Sequence, residues 1–357
     1  MKYDNLIIFY LSGTGNALNA ARWMIEAASE KGAKTFLYPI DRKKKIELPE
    51  LNGKTMLGFC YPTHGFAPPW SMIKFFFRFQ KFKNCDFFLL NTRGGLKFSK
   101  LYFPGISGIA QILPVLILLI KRFRLAGLMP MDLPSNWISI HPGLTQKATE
   151  EITLRRKIKF KKFSENLLNK GKSYSYKVFL YLPVDLFVAP ISLMYLFVGR
   201  FIIAKSFMAA SDCGDCRLCI DNCPVGAVVM KDNRPYWSFK CESCMRCIST
   251  CPSKSIQTAH SFWITASYFI SALPVSIWLA NFLSDNNIKL IPFFQNSLNR
   301  IISACASLSL FYLAYWIFFL MIRYKYINKF FEYTSLTRYW RRFISPGIKL
   351  KDLMIKR

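Results

Sequence analysis

Cysteine supplies most of the chemistry this chain could perform. CGDCRLCIDNCP begins at Cys213 and CESCMRCISTCP at Cys241, and both read C-x-x-C-x-x-C-x-x-x-C-P. Four thiolates hold one cubane 4Fe-4S cluster, and two-residue gaps let three successive cysteines curl around one face of it. The fourth ligand must come from elsewhere, because the chain has turned away by the time it reaches the proline. Zinc also uses C-x-x-C pairs, but it needs two pairs, not two triplets each followed by Cys-Pro. A disulfide framework fits less well still, since no cleavable signal peptide is visible and eight of the eleven cysteines stand in cluster spacing. Cys60, Cys85 and Cys305 lie in apolar surroundings and are expected to be buried small side chains.

The double run resembles that of bacterial ferredoxins carrying two 4Fe-4S clusters, in which the fourth cysteine of each run ligates the other cluster. The resemblance implies one cluster on Cys213, Cys216, Cys219 and Cys251 and a second on Cys241, Cys244, Cys247 and Cys223.

A second candidate site opens the chain. The apolar run Leu6 to Leu11 ends at Ser12-Gly13-Thr14-Gly15-Asn16, and a helical segment from Ala17 to Glu30 follows. In such a strand, loop and helix, the glycines let the backbone fold around an anion. The hydroxyls and the amides at the helix start are donors suited to a phosphate. Further strands are expected at Lys34 to Ile40, Thr55 to Tyr61 and Phe87 to Asn91. Their alternation with helices predicts an open parallel α/β sheet, with any ligand outside the carboxyl ends of the strands.

SGTGN in this position resembles the phosphate-binding loop of flavodoxins. That resemblance implies the doubly wound strand order 2-1-3-4-5 with FMN at its switch point. It places Pro62, Thr63, His64, Gly65 and Phe66, and the loop Thr92, Arg93, Gly94 and Gly95, beside the isoalloxazine ring. The fifth strand falls near Gly127 to Met131, before PSNWI. Where flavodoxins carry a Tyr-Gly-Gly-like sequence, this chain has His64 and Arg93. Arg93 is expected near the pyrimidine end of the flavin, favouring its reduced anionic form.

The elements that must carry these sites are unusual in composition. The chain is 52% hydrophobic and 16% aromatic, yet its 49 Lys and Arg against 20 Asp and Glu give a net charge of +29. That pairing points to a membrane protein with its basic parts in the cytoplasm. Nucleic-acid binding is not expected, because no nucleic-acid module accompanies the charge. Leu101 to Ile120 reads as the fourth helix of the α/β domain, apolar enough to lie on lipid or on membrane helices. Thr145 to Lys170 reads as a polar helix whose basic cluster is a solvated face that also suits anionic lipid headgroups. Val178 to Gly199 contains Pro183, Asp185 and Pro190, so it is expected as an interfacial or re-entrant helix pair. Phe262 to Leu283 and Ile301 to Ile322 are uncharged runs of spanning length. With the basic tail after Arg323, they predict a hairpin whose ends and both redox modules face the cytoplasm.

The expected organisation is a flavodoxin-like domain over 1–172, apolar connecting helices over 173–207, a two-cluster ferredoxin domain over 208–258, a transmembrane helix hairpin over 259–323 and a basic cytoplasmic tail over 324–357. Over about residues 4–258 this order resembles bacterial and archaeal flavodoxin-ferredoxin fusion proteins. The resemblance implies an electron-transfer iron-sulfur flavoprotein, and the hairpin, which lies outside the resemblance, is expected to hold it at the inner (cytoplasmic) membrane. FMN handles two electrons and each cluster one, and a redox protein or quinone would be the partner. No catalytic side chain is expected. Two other functions remain open. One is an FMN-dependent reductase of a small substrate or quinone, with no second glycine-rich fingerprint to hold a nicotinamide. The other is an iron-sulfur redox sensor acting through the basic tail.

Overall fold

The computed structural model describes residues 2–41, 46–50, 52–80, 85–272 and 309–355. Its centre is a largely parallel sheet built from β1 (Asn5–Tyr10), β2 (Lys34–Pro39), β3 (Thr55–Pro62), β4 (Asp86–Phe98) and β6 (Arg124–Leu128), in the order β2-β1-β3-β4-β6. This is the flavodoxin-like order. The fifth strand is interrupted after Leu128 and resumes as β7 (Met131–Pro134), which pairs with the far end of β4. A two-residue strand β8 (Ser173–Tyr174) extends the sheet just past the expected boundary at 172.

Strands covered on both faces read as continuous apolar runs, and here alternate residues separate into two cores. Leu6, Ile8, Met56, Cys60, Phe88 and Leu90 pack under α1 (Asn16–Ser29) and α4 (Gln146–Lys170). Ile7, Phe9, Leu57, Phe59, Phe87 and Leu89 pack under α2 (Trp70–Arg78) and α3 (Ile109–Ile120). Cys60 and Cys85 are buried, as expected; Cys305 lies outside the described residues.

The structure corrects two expectations within this domain. Thr92 to Gly95 is not a loop but the continuation of β4, held in register by Met131 to Pro134 of β7. Leu101 to Ile120 is not one helix: β5 (Leu101–Phe103) first folds back on β4, and Gly108, at φ +54°, precedes α3.

The connecting segment forms α5 (Tyr176–Phe187) and then a second helical stretch, α6 (Ala189–Met194) followed by a π-helical turn (Tyr195–Gly199), bent by 68° from the first. Asp185, the acidic residue inside the apolar run, accepts from the amides of Ser107 and Gly108 at 2.9 and 2.8 Å. It thereby pins the helix pair to the start of α3. The outer face stays apolar, with Phe179, Leu180, Phe187, Met194 and Phe197 exposed.

The cysteine-bearing module is compact. β9 (Phe207–Ala209) pairs with β12 (Ile256–Thr258), β10 (Val228–Lys231) with β11 (Arg234–Trp237), and the short helices α8 (Leu218–Asp221) and α9 (Arg246–Thr250) lie between them. Beyond it, α10 (His260–Ala272) and α11 (Ser309–Met321) pack together, Phe262 stacking on Phe318 with ring centroids 4.3 Å apart. The middle of the expected hairpin, 273–308, lies outside the described residues. Among the described residues no single helix is long and apolar enough to cross a membrane, though two bent pairs reach that length and composition together.

The basic tail is folded. It forms α12 (Lys325–Tyr333) and then runs back over α1, where Ile348 and Leu353 cover Leu18 and Arg22 meets Asp352 at 2.9 Å.

Candidate functional site

At the carboxyl ends of β3, β4 and β7 is a cavity of about 340 Å³. Thr63, His64, Gly65 and Phe66 line it from the turn after β3, Arg93 and Gly94 from β4, and Ser135, Asn136 and Trp137 from the segment after β7. Tyr195 closes one side and Ser243, from the cysteine module, another. The turn after β3 is tight. His64 and Ala67 exchange two backbone hydrogen bonds, while Gly65 and Phe66 sit at φ +53° and +62°, which matches a type I′ turn. Glycine is required at 65 because a Cβ there would overlap the Tyr195 ring.

Three lining residues keep a buried polar atom with no hydrogen-bond partner: His64 Nδ1, Arg93 Nη2 and Ser243 Oγ. Such an atom costs about 1–3 kcal/mol if it stays unsatisfied, so three around one cavity mark a place where a polar molecule fits. Burial pushes the His64 imidazole down to about 4, which keeps it neutral at pH 7.

Of the residues expected beside the ring, Thr63, His64, Gly65, Arg93 and Gly94 line this cavity; Pro62, Thr92 and Gly95 lie within β3 and β4 and do not. Phe66, also expected there, lines it too, but at the positions where flavodoxins carry a Tyr-Gly-Gly-like sequence the chain has His64 and Arg93 instead of an aromatic. The structure supplies Trp137 and Tyr195, whose rings stand 6.4 Å apart at 86°. Trp137 could have been found, because PSNWI directly follows the fifth strand. Tyr195 could not, since it arrives from a distant helix.

Ser12 to Gly15 form the expected turn between β1 and α1, which begins at Asn16, but none of Ser12 to Asn16 lines the cavity. The Gly15 amide donates to Ser12 Oγ at 3.0 Å, and Asn136, a cavity residue, donates to Thr14 Oγ1 at 2.7 Å. Asn16 Oδ1 is buried without a partner. The loop is roofed by later parts of the chain. A Cβ on Gly13 would overlap the Cys244 carbonyl oxygen. Arg246 donates from Nε to Gly13 O at 3.2 Å, from Nη2 to Ser12 O and from Nη1 to Asn222 O at 3.0 Å, and the Ser345 amide donates to Thr14 O at 2.9 Å.

Arg93 is buried. Its Nε donates to Asp132 Oδ1 at 2.6 Å, its Nη1 donates to Ser107 Oγ at 3.2 Å, and its guanidinium lies over the Tyr181 ring. Asp132 is also paired with Arg156 and, at 3.2 Å, with Lys177. Burial opposes ionisation of Asp132, but Arg156, Arg93 and Lys177 together hold its carboxyl below the usual range. Asp132, missed in the sequence, thus offsets part of the Arg93 charge.

The two cysteine runs are built alike. Asp215 and Arg217 flank Cys216 at φ +50° and +58°, and Ser243 and Met245 flank Cys244 at +51° and +63°. Each run therefore winds left-handed at the same two places, presenting its cysteines to one side. The Ser243 amide donates to Cys241 Sγ at 3.4 Å and the Ala227 amide to Cys223 Sγ at 3.2 Å. Burial pushes Cys219 up to about 12; Cys213 is also raised, and the charges of Cys251 and Cys216 add to both. Cys244 is pushed up to about 11, chiefly by burial, with Cys223 adding. Cys213 and Cys219 thus lie within electrostatic reach of Cys216 and Cys251, and Cys241 and Cys244 within reach of Cys223, while Cys247 feels Cys241, Cys244 and also Cys219. Among the described residues, no three His, Cys, Asp or Glu side chains are grouped so as to hold a single metal ion.

No protein-family model matches the chain, and no curated protein matches it. Solved structures similar to it include a flavodoxin from the domain Archaea, at 16% identity over 45% of this chain and 99% of that one, with a TM-score of 0.27. A flavone reductase matches at 11% identity over 48% of this chain and 66% of its own, TM-score 0.32. An oxidised flavodoxin from Bacillus cereus matches at 14% identity over 43% and 97%, TM-score 0.27.

Proposed function

We propose that the protein is a membrane-anchored electron-transfer flavoprotein that passes electrons between FMN, two 4Fe-4S clusters and a redox partner or quinone. The observation that carries this reading is the cavity at the sheet's carboxyl ends. It holds buried polar atoms without partners, lies where the flavodoxin-like order puts its ligand, and takes one wall, Ser243, from beside Cys244. Ser12 to Asn16 would hold the phosphate, and Trp137 and Tyr195 would border the ring. FMN, when bound, supplies the exchange between two-electron and one-electron chemistry. His64, Arg93 and Ser243 supply hydrogen bonds that orient the ring, and Tyr195 excludes water from one side.

The resemblance to two-cluster ferredoxins supports two 4Fe-4S clusters on the crossed sets Cys213, Cys216, Cys219 and Cys251, and Cys241, Cys244, Cys247 and Cys223. The set containing Cys244 abuts the flavodoxin-like loop, whereas the set containing Cys216 reaches solvent, where a partner can approach. The exposed apolar face of α5 and α6 and the paired roots of α10 and α11 support anchorage to the cytoplasmic face of the inner membrane.

Iron, sulfide, zinc and released flavin should be measured on anaerobically purified, detergent-solubilised protein. The expected result is about eight iron, about eight sulfide and one FMN per chain. Zinc in place of iron removes the electron-transfer reading, and iron without flavin reduces the protein to a membrane-bound ferredoxin or a sensor.

A further inference from the structure

Between α4 and the start of α5 runs a groove of about 470 Å³. Arg156, Lys159, Lys162 and Lys177 line it, and no Asp or Glu does. The nearby carboxylate, Asp132, is already paired with Arg93, Arg156 and Lys177; it offsets Lys159 only weakly, and among the described residues neither Lys159 nor Lys162 is in an ion pair. Burial, with the charges of Arg155, Lys177 and Arg156, holds the Lys159 ammonium below the usual lysine range. The groove therefore carries unspent positive charge.

Its remaining walls combine the apolar or amphipathic Met129, Ile158, Phe163, Tyr174 and Tyr176 with the polar Asn166, Ser173 and Ser175. Tyr176 is the first residue of α5, along which Phe179, Leu180 and Phe187 are 66%, 62% and 82% exposed. A cluster of cations thus adjoins the start of an exposed apolar helix. From this we infer that the groove is a binding site for one anionic phospholipid, its phosphodiester headgroup on Lys159, Lys162 and Lys177 and its acyl chains along α5. Inorganic phosphate matches the cations but makes no use of the apolar walls; a zwitterionic lipid matches the walls but brings its own cation against the lysines. The inference deepens the membrane-anchored reading and rests on it.

The test is calorimetric titration of the detergent-solubilised full chain with dioctanoyl phosphatidylglycerol, dioctanoyl phosphatidylcholine and inorganic phosphate. Phosphatidylglycerol should bind saturably and the other two far more weakly. The exposed pair Lys159→Gln/Lys162→Gln should weaken that binding about thirtyfold, at about 1 kcal/mol for each lysine lost near an anionic group. The charge-matched pair Lys349→Gln/Lys351→Gln in the tail should leave it unchanged. Equal binding of both lipids, equal binding of phosphate, or equal loss in the two double variants overturns the inference. Fractionation separates the two readings. A chain that stays with membranes but does not discriminate between lipids loses only this site, whereas one recovered without detergent loses the anchor as well.

Discussion

The two cysteine runs share one spacing and one backbone path but differ in what surrounds them. The inner run, Cys241 to Cys251, is pressed against the flavodoxin-like domain: Cys244 lies on Gly13, Arg246 reaches the carbonyls of Ser12 and Gly13, and Glu242 accepts from the Ser71 amide at 2.6 Å. The outer run, Cys213 to Cys223, leaves Cys216 exposed, and a Cβ on Gly214 would meet nothing within 4 Å. Identical local sequence rules therefore produce one site that belongs to an interface and one that belongs to the surface. Exposure and hydrogen bonds to sulfur set cluster potentials, so clusters held in the two runs, as proposed, would differ in potential.

The largest expected contrast comes from removing one ligand in each run. Cys216→Ser should abolish one cluster and leave FMN bound, whereas Cys244→Ser should abolish the other and also release FMN, because it loosens the wall of the cavity and the roof of the loop. Iron and flavin content, with the spectrum of the surviving cluster, decide it; equal flavin retention in the two variants would break the comparison.

A smaller effect is expected from a single methyl group. Gly13→Ala drives a Cβ into a backbone carbonyl that cannot swing aside, a cost of about 1–3 kcal/mol for overpacking, while Gly214→Ala should stay within about 0.5 kcal/mol. Thermal unfolding of the two variants checks this directly.

The smallest difference is one of pH. His64 stays neutral in the folded protein down to about 4, whereas in the unfolded chain it titrates near its usual value of about 6.5. Between those values the unfolded state binds the extra proton, so stability falls as pH drops through that window. His260, which follows β12 of the cysteine module, is also held below its usual value, chiefly by burial. Between about pH 6.5 and 5, then, flavin should be released as the folded protein loses stability, and His64→Gln should flatten that release. Flavin fluorescence followed across the window is the measurement.

Much of this was legible in the sequence, for reasons of differing kind. The first three strands and the Ser12 to Asn16 turn are local, so their places could be read to within a residue, whereas β4 runs on to Phe98, well past its expected end at Asn91. The two cysteine runs could be read because their repeated spacing is itself local. Arg93 was read as a loop residue because two glycines follow it, yet pairing with β7 carries the strand straight through them. Asp132, Tyr195 and Arg246 were invisible as site residues. Each acquires its meaning from a partner far along the chain, and no local pattern announces such a partner. The tail was read only as a basic cytoplasmic segment because its charge outweighs its few apolar side chains, yet Ile348 and Leu353 are enough to seat it on α1.

The contact between Gly13 and Cys244 also bears on how the protein is made. Arg246 closes the loop from 233 positions further along the chain, and domains of a growing chain fold in order from the amino terminus. The first domain therefore leaves the ribosome with its loop uncovered, and the roof arrives only with the cysteine module and the final stretch around Ser345. Biogenesis acquires a sequence in time: a phosphate-bearing ligand has open access to the loop early, and completion of the inner run shuts it in.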